Sequence, residues 1–229
     1  MKILGVVCCI TIFLVSLSVS PLLAARKTPP QVTPDGLELV PETQLKLVYA
    51  DPEADLSGYN KLLLVDAQVA FIKNWKRDIT INKPYSISNE DMQAIKTSLS
   101  QLFGEVFSAE LESAGFVLTA EQAERVLIVR PAIYDLNISS PETRTGRTRN
   151  LTESAGEMTL YLELRDALTG DILVKALDYQ FDRSNVTTFM QDSTRNEKAA
   201  RRILIKWAQI LVQGLREAKV IASGQPTVQ

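Results

Sequence analysis

The stretch from residue 157 to residue 181 constrains the fold more than any other part of the chain. Met158, Leu160, Leu162 and Leu164 alternate with Thr159, Tyr161, Glu163 and Arg165, the two-residue period of a strand with one dry and one wet face. Leu168-Thr169-Gly170-Asp171 supplies a turn and Ile172 to Phe181 returns, so the segment reads as an antiparallel hairpin. A sheet with one dry face needs a second layer to cover it. Two segments have the pattern for that layer. From Ser88 onward, Met92, Ile95, Leu99, Leu102, Phe103, Val106 and Leu111 recur on one helical stripe. Ser88 with Asp91 forms a capping-box variant, Glu90 and Asp91 suit the positive helix start, and Gly115 supplies the stop. The second helix is expected from about Asn196 to Val220. Its apolar side holds Ala199, Ile203, Trp207, Ile210, Leu211, Gly214 and Ala218, with Arg201, Arg202, Lys206, Gln209 and Arg216 largely elsewhere.

Further strands are expected at Lys61–Phe71, continuously apolar at first and alternating at its end, and at Val126–Leu136. Pro131 inside the latter run suggests an edge strand or a bulge. A brief Phe116-Val117-Leu118 segment follows the first helix. The fold class is therefore α+β, a two-layer sandwich of about four mostly antiparallel strands with two long amphipathic helices on one sheet face. Residues 26–44, with Pro29, Pro30, Pro34, Pro41 and Gly36, read as an extended arm that Leu37, Leu39 and Val40 could pin to the body. A single domain is expected over 45–222, and 223–229 read as a flexible tail. No internal repeat is evident.

The first residues read as an address. Met1-Lys2 precedes an apolar run from Ile3 to Val19. Ser20-Pro21 breaks that run, and Leu22-Leu23-Ala24-Ala25 leads into polar sequence. A charged start, an apolar middle and small residues before a polar flank are the parts of a secretory signal peptide, here 1–25, cut after Ala25. Leu23 departs from the small residue preferred three positions before the cut. The alternative is an uncleaved helix over 3–23, just long enough to tether the protein to the inner membrane. Cys8 and Cys9 would leave with the signal. Too few residues precede Cys8 for a lipid-attachment signal, which needs an apolar core of at least about seven residues.

Composition narrows the chemistry. The chain has no histidine, and its 25 Lys+Arg against 27 Asp+Glu leave a formal charge of −2. The commonest general base and metal ligand are thus missing, and so are Ser-His and Cys-His arrangements. No phosphate-cradling glycine loop is present, and the mild acidity gives no footprint for nucleic acid. No cofactor or metal site is expected. Carboxylate chemistry remains open: Asp66, Asp78, Asp135, Asp166, Asp178 and Asp182 lie in or beside strand-like runs, and a glycosidase needs two suitably placed carboxyls. Turn formation and solvent-facing sheet positions account for the same residues without a site.

Two segments are candidates for binding a partner. In Phe71-Ile72-Lys73-Asn74-Trp75-Lys76-Arg77-Asp78 aromatics alternate with cations. An exposed Trp75 flanked by Lys73, Lys76 and Arg77 would make an anchor, whereas a Trp75 folded over the core would not. Arg144, Arg147 and Arg149 crowd the polar stretch 139–150, which suits either an acidic partner or headgroup, or a plain solvated hairpin tip. Asn137, Asn150 and Asn185 head glycosylation patterns, relevant in a eukaryotic secretory pathway.

The block Asp35-Gly36-Leu37-Glu38-Leu39-Val40-Pro41 is followed by Asp55-Leu56-Ser57-Gly58-Tyr59 and by Val69-Ala70-Phe71 with Asn74-Trp75 and Arg77-Asp78. With Arg165-Asp166-Ala167-Leu168-Thr169-Gly170-Asp171-Ile172-Leu173 it resembles the bacterial envelope family catalogued as domain of unknown function 3313, over most of residues 35–222. The resemblance implies a Gram-negative, periplasmic setting and transfers no catalytic residues. Many members resemble lipoproteins, and this chain departs from them in lacking a usable lipid-site cysteine. In architecture it is similar to small α+β modules of envelope assembly proteins, such as the curli secretion component and the N-terminal part of the Tol translocation protein.

The expected function is a non-enzymatic binding or assembly module in the periplasm or at the outer membrane. Its partner would be an envelope protein, or a glycan or lipid headgroup. A carboxylate-dependent hydrolase of envelope glycans is the alternative. Mass analysis of the exported protein is expected to show a chain beginning at Arg26; an intact Met1 would instead mark residues 3–23 as an anchor.

Overall fold

The alternating hairpin, β7 (Glu157–Asp166) and β8 (Ile172–Phe181), lies at the middle of a mixed, eight-stranded sheet. The computed structural model describes residues 28–81, 86–138, 156–181 and 193–222. The expected signal segment 1–25, the arginine-rich stretch 139–150, Asp182 and the expected tail 223–229 lie outside the described residues. The other strands are β1 (Glu38–Leu39), β2 (Leu47–Ala50), β3 (Lys61–Leu64), β4 (Gln68–Phe71), β5 (Val117–Leu118) and β6 (Val126–Asn137). Their order is β1-β2-β8-β7-β6-β3-β5, with β4 also paired to β6. Helices α1 (Trp75–Thr80), α2 (Asn89–Ser113) and α3 (Ser193–Ala222), with a single 3-10 turn at Leu56–Gly58, complete the described elements.

The α+β class holds, but the sheet is larger and less antiparallel than the sequence suggests. The run 61–71 is two strands, β3 and β4, parted at Val65-Asp66-Ala67, and both pair with β6 in parallel. Periodicity cannot reveal this, because a parallel neighbour imposes the same two-residue repeat as an antiparallel one. The direction comes from the crossover: α1 and α2 lie between β4 and β6, so the chain re-enters the sheet pointing the same way. The proline-rich arm joins the sheet as well. β1 pairs with β2, Leu37 is buried, and the Tyr49 hydroxyl donates to the carbonyl of Pro30.

Pro131 corrects the edge-strand reading. It sits in an interior strand, in unbroken register opposite Leu162 of β7. The Val129 carbonyl accepts from Val65 N, so Val129, and Pro131 two residues on, direct their backbone polar groups toward β3 and β4. Pro131 thus meets the gap between those strands, where no ladder donor is required. The irregularity of β6 comes later, between Tyr134 and Asn137, where Asp135 has φ 51°. This bulge returns Leu136 to the core and turns Asn137 to the opposite face.

The helix ends behave as their residues dictate. Ser88 Oγ accepts from Asp91 N at 3.0 Å while the Asp91 carboxylate accepts from Ser88 N at 2.9 Å, so the shorter acid completes the capping box. Past Ala114, Gly115 takes φ 91°, and the amides of Gly115 and Phe116 close on the carbonyls of Glu112 and Leu111 in a Schellman stop.

α2 and α3 pack together over the dry face. Phe103, Phe107 and Leu111 of α2 and Leu204, Trp207 and Ala208 of α3 join Leu160, Leu162 and Leu164 in one core. The buried side of α3 is rotated from the expected stripe: Leu204, Ala208, Val212 and Leu215 are inside, while Gly214 is exposed. A charged side chain of the sheet enters this layer. Asp178 of β8 is 5% exposed, and its carboxylate accepts from Trp207 Nε1 at 2.8 Å, Gln180 Nε2 at 2.7 Å and the Lys46 amide at 3.1 Å. Its sequence-based role as a solvent-facing sheet position is therefore overturned. Asp178→Ala is expected to destabilise the fold by about 2–4 kcal/mol, because it strands the buried Trp207 donor on α3 and frees the Lys46 amide at the start of β2. Asp178→Asn should cost less. Urea unfolding followed by tryptophan fluorescence will read the difference.

Candidate functional site

With the helices on one side, strand alternation directs Glu157, Thr159, Tyr161, Glu163 and Arg165 of β7 to the other. Tyr134 and Tyr179 stand directly opposite Thr159 on β6 and β8. They are 42% and 39% exposed. Tyr161 comes after Thr159 on the same face, its ring 6.3 Å from that of Tyr134. The three tyrosines therefore surround one small side chain, and Thr159 forms the floor of a shallow trough between rings on flanking strands.

The trough ends in a carboxylate that is held in place. Asn137 Nδ2 donates to Glu157 Oε1 at 2.8 Å, and the Tyr179 hydroxyl donates to Oε2. That bond to Glu157, with some burial, pushes the Tyr179 hydroxyl up to about 12, so it stays a donor at any physiological pH. The Asn137 contact exists because the Asp135 bulge turns Asn137 to this face.

The other end is a charged row. Arg130, Glu163 and Lys175 lie side by side across β6, β7 and β8. Glu163 is only 9% exposed; its carboxylate accepts from the Tyr161 hydroxyl at 2.6 Å and from Arg165 at 2.7 and 2.8 Å. Burial alone would raise this carboxyl. The hydrogen bonds from Tyr161 and Arg165, with the nearby positive charges, outweigh it and hold the group below the usual carboxylate range. Burial and the same bond push the Tyr161 hydroxyl well above its ordinary value. Lys175 pairs with Asp35 from the N-terminal arm. Glu163 thus braces Tyr161, and the row pairs two of its three cations, Arg165 and Lys175, with carboxylates.

The residues singled out from sequence lie elsewhere. Trp75 is 3% exposed, stacked on Phe71 at 4.1 Å, and donates to the carbonyl of Ile138 at 3.0 Å. It cannot serve as an exposed anchor. Its neighbours are engaged locally: Lys76 donates to Asn89 at 2.9 Å, Arg77 pairs with Asp78 at 2.8 Å, and Lys73 is exposed. Arg144, Arg147 and Arg149 lie outside the described residues. Of the carboxylates, Asp66 and Asp135 are exposed beside strand irregularities, and Asp178 is buried under α3. Asp166 closes the hairpin turn, accepting from the amides of Leu168 and Thr169 at 2.8 Å and from the Tyr59 hydroxyl at 2.6 Å. Among the described residues no cluster of three or more acidic, histidine or cysteine side chains could hold a metal ion, and no helix is long and apolar enough to cross a membrane. The tyrosine face is within reach of the sequence, since the alternation of 157–181 already places Tyr161 and Tyr179 on the wet side. Tyr134 needs the register to bring it there.

A family model described as "Protein of unknown function (DUF3313)" matches residues 35–211. The chain belongs to this family. Among curated proteins none matches. Two solved structures similar to the DUF3313 chain are the PelC dodecamer from Paraburkholderia phytofirmans and a minor lipoprotein from Acinetobacter baumannii. The first has 10% identity and a TM-score of 0.38, covering 71% of this chain and 96% of PelC. The second has 11% identity and a TM-score of 0.34, covering 68% and 91%. Likeness at this level carries no functional inference. The matched span of the DUF3313 family includes every residue of the trough and its charged row.

Asp166 provides a pH test of the hairpin that carries this face. Its hydrogen bonds, from Tyr59 first and then from the turn amides, hold its carboxyl below the ordinary value. The stability it contributes is present above the ordinary carboxylate range and is lost as pH falls through the folded-state value. Asp166→Asn is therefore expected to lower stability near neutrality and to flatten its decline in acid, as read by urea midpoints across that pH range.

Proposed function

We propose that this DUF3313 protein is a non-enzymatic binding or assembly module of the bacterial cell envelope, acting in the periplasm or at the outer membrane. It engages its partner through the tyrosine-bearing face of the sheet. The observation that carries this reading is the asymmetry of the sheet: α2 and α3 cover one side, while the other presents exposed Tyr134 and Tyr179 over a hydrogen-bonded base. Tyr179 and the neighbouring Tyr161 are held by their hydroxyls, and aromatics so fixed are economical binding surfaces, because little side-chain freedom remains to be lost. The export signal read in residues 1–25 and membership of the family support the envelope setting. No observation favours the glycan hydrolase: Asp78, Asp166 and Asp178 have separate structural partners on different elements.

A photo-reactive residue placed at position 134 or 179 of a tagged copy is expected to crosslink an envelope component in intact bacteria. The same residue at Gln101, exposed on α2, should crosslink nothing reproducible. Crosslinks confined to the helix side, or none from either, would defeat the proposal.

A further inference from the structure

Resting on that reading of the sheet face, we infer that the trough over Thr159, walled by Tyr134, Tyr161 and Tyr179 and closed by Glu157, is a subsite for a neutral saccharide strand. Three features select this ligand. The first is shape. Tyr134 and Tyr179 stand on strands two apart, roughly 10 Å from backbone to backbone, with the small Thr159 between them. A flat, rigid ring enters such a groove, and its C–H edges meet aromatic faces. The rings are side by side on a sheet rather than wrapped about a point, as a quaternary ammonium would require.

The second feature is hydrogen-bonding capacity. Each oxygen of Glu157 accepts one identified bond, from Asn137 or Tyr179. A carboxylate has about four acceptor positions in all, so acceptor capacity remains for hydroxyl groups, and the oxygens are already fixed in direction. Thr159 adds a hydroxyl at the floor. The third is charge. A carboxylate at the mouth opposes phosphates, acidic peptides and anionic sugars. The positive groups of this face, Arg130, Arg165 and Lys175, lie at its far end, away from Glu157, where Arg165 is tied to Glu163 and Lys175 to Asp35. A polyhydroxylated ligand without net charge satisfies the rings and the acceptor together.

The test uses the purified mature chain, titrated by calorimetry with neutral β-linked glucose and N-acetylglucosamine oligomers, and separately with choline and an anionic uronic-acid oligomer. Saturable binding of a neutral oligomer is expected. Tyr134→Ala, Tyr179→Ala and Glu157→Gln should each weaken it about tenfold, whereas Tyr134→Phe retains it. Thr159→Trp, which fills the trough without removing a ring, should abolish it, and Gln101→Ala on α2 should leave it unchanged. Unaltered thermal unfolding of each variant shows that the loss is local. Absence of binding, indifference to Thr159→Trp, or preference for choline or the anionic oligomer overturns the inference. Crosslinking of an envelope protein from position 134 or 179 without saccharide binding overturns the saccharide alone and leaves the binding-module reading standing. Silence in both experiments removes both.

Discussion

The carboxylate of Asp178 is the constraint on which the layered arrangement depends. A charge this deeply buried is costly unless every lone pair that faces protein is used, and here the donors come from three places: α3 through Trp207, the residue before β2 through the Lys46 amide, and Gln180 of the same strand. Apolar contacts alone would let a long helix slide or roll over a sheet of leucines at small cost. The indole bond fixes both its position and its rotation. That rotation buries Leu204, Ala208, Leu211 and Leu215, and it commits the helices to one side of the sheet.

The second organising element is β6, which runs antiparallel to β7 on one side and parallel to β3 and β4 on the other. Two local departures make this possible. Pro131 occupies the gap between successive parallel partners, so the strand carries a proline in its interior without losing a ladder bond there. The bulge at Asp135 reverses the facing of the next two residues, sending Leu136 inward and Asn137 outward. The same departure that keeps the core continuous therefore supplies one of the two donors that hold Glu157.

Much of this architecture can be read in the residues, and the unreadable parts have physical reasons. The hairpin 157–181 is legible because one face is dry and the other wet along its whole length. α2 is legible at both ends because Ser88, Asp91 and Gly115 act through local backbone geometry. By contrast, the break at Val65-Asp66-Ala67 shows in the sequence only as a change from a continuous to an alternating apolar pattern, which a single strand also allows, and parallel pairing has no local signature. Trp75 illustrates an ambiguity that composition cannot resolve, since cations beside an aromatic accompany both buried and exposed rings. Its direction is set by Phe71 and by the carbonyl of Ile138, a partner 63 residues away. The buried face of α3 is only partly legible for the same kind of reason: a helix rich in alanine and aliphatic residues offers several apolar arcs, and Asp178 chooses among them. The candidate site is legible in its strands and illegible in its grouping, which needs the register of three strands at once.

The clamp made by Asn137, Glu157 and Tyr179 has an evolutionary consequence. It joins β6, β7 and β8 through three side chains, Asn137 and Tyr179 gripping opposite oxygens of Glu157. Replacing Glu157 leaves both donors without that acceptor, whereas replacing either donor leaves the other bond in place, so Glu157 is the position of the three that can vary least freely.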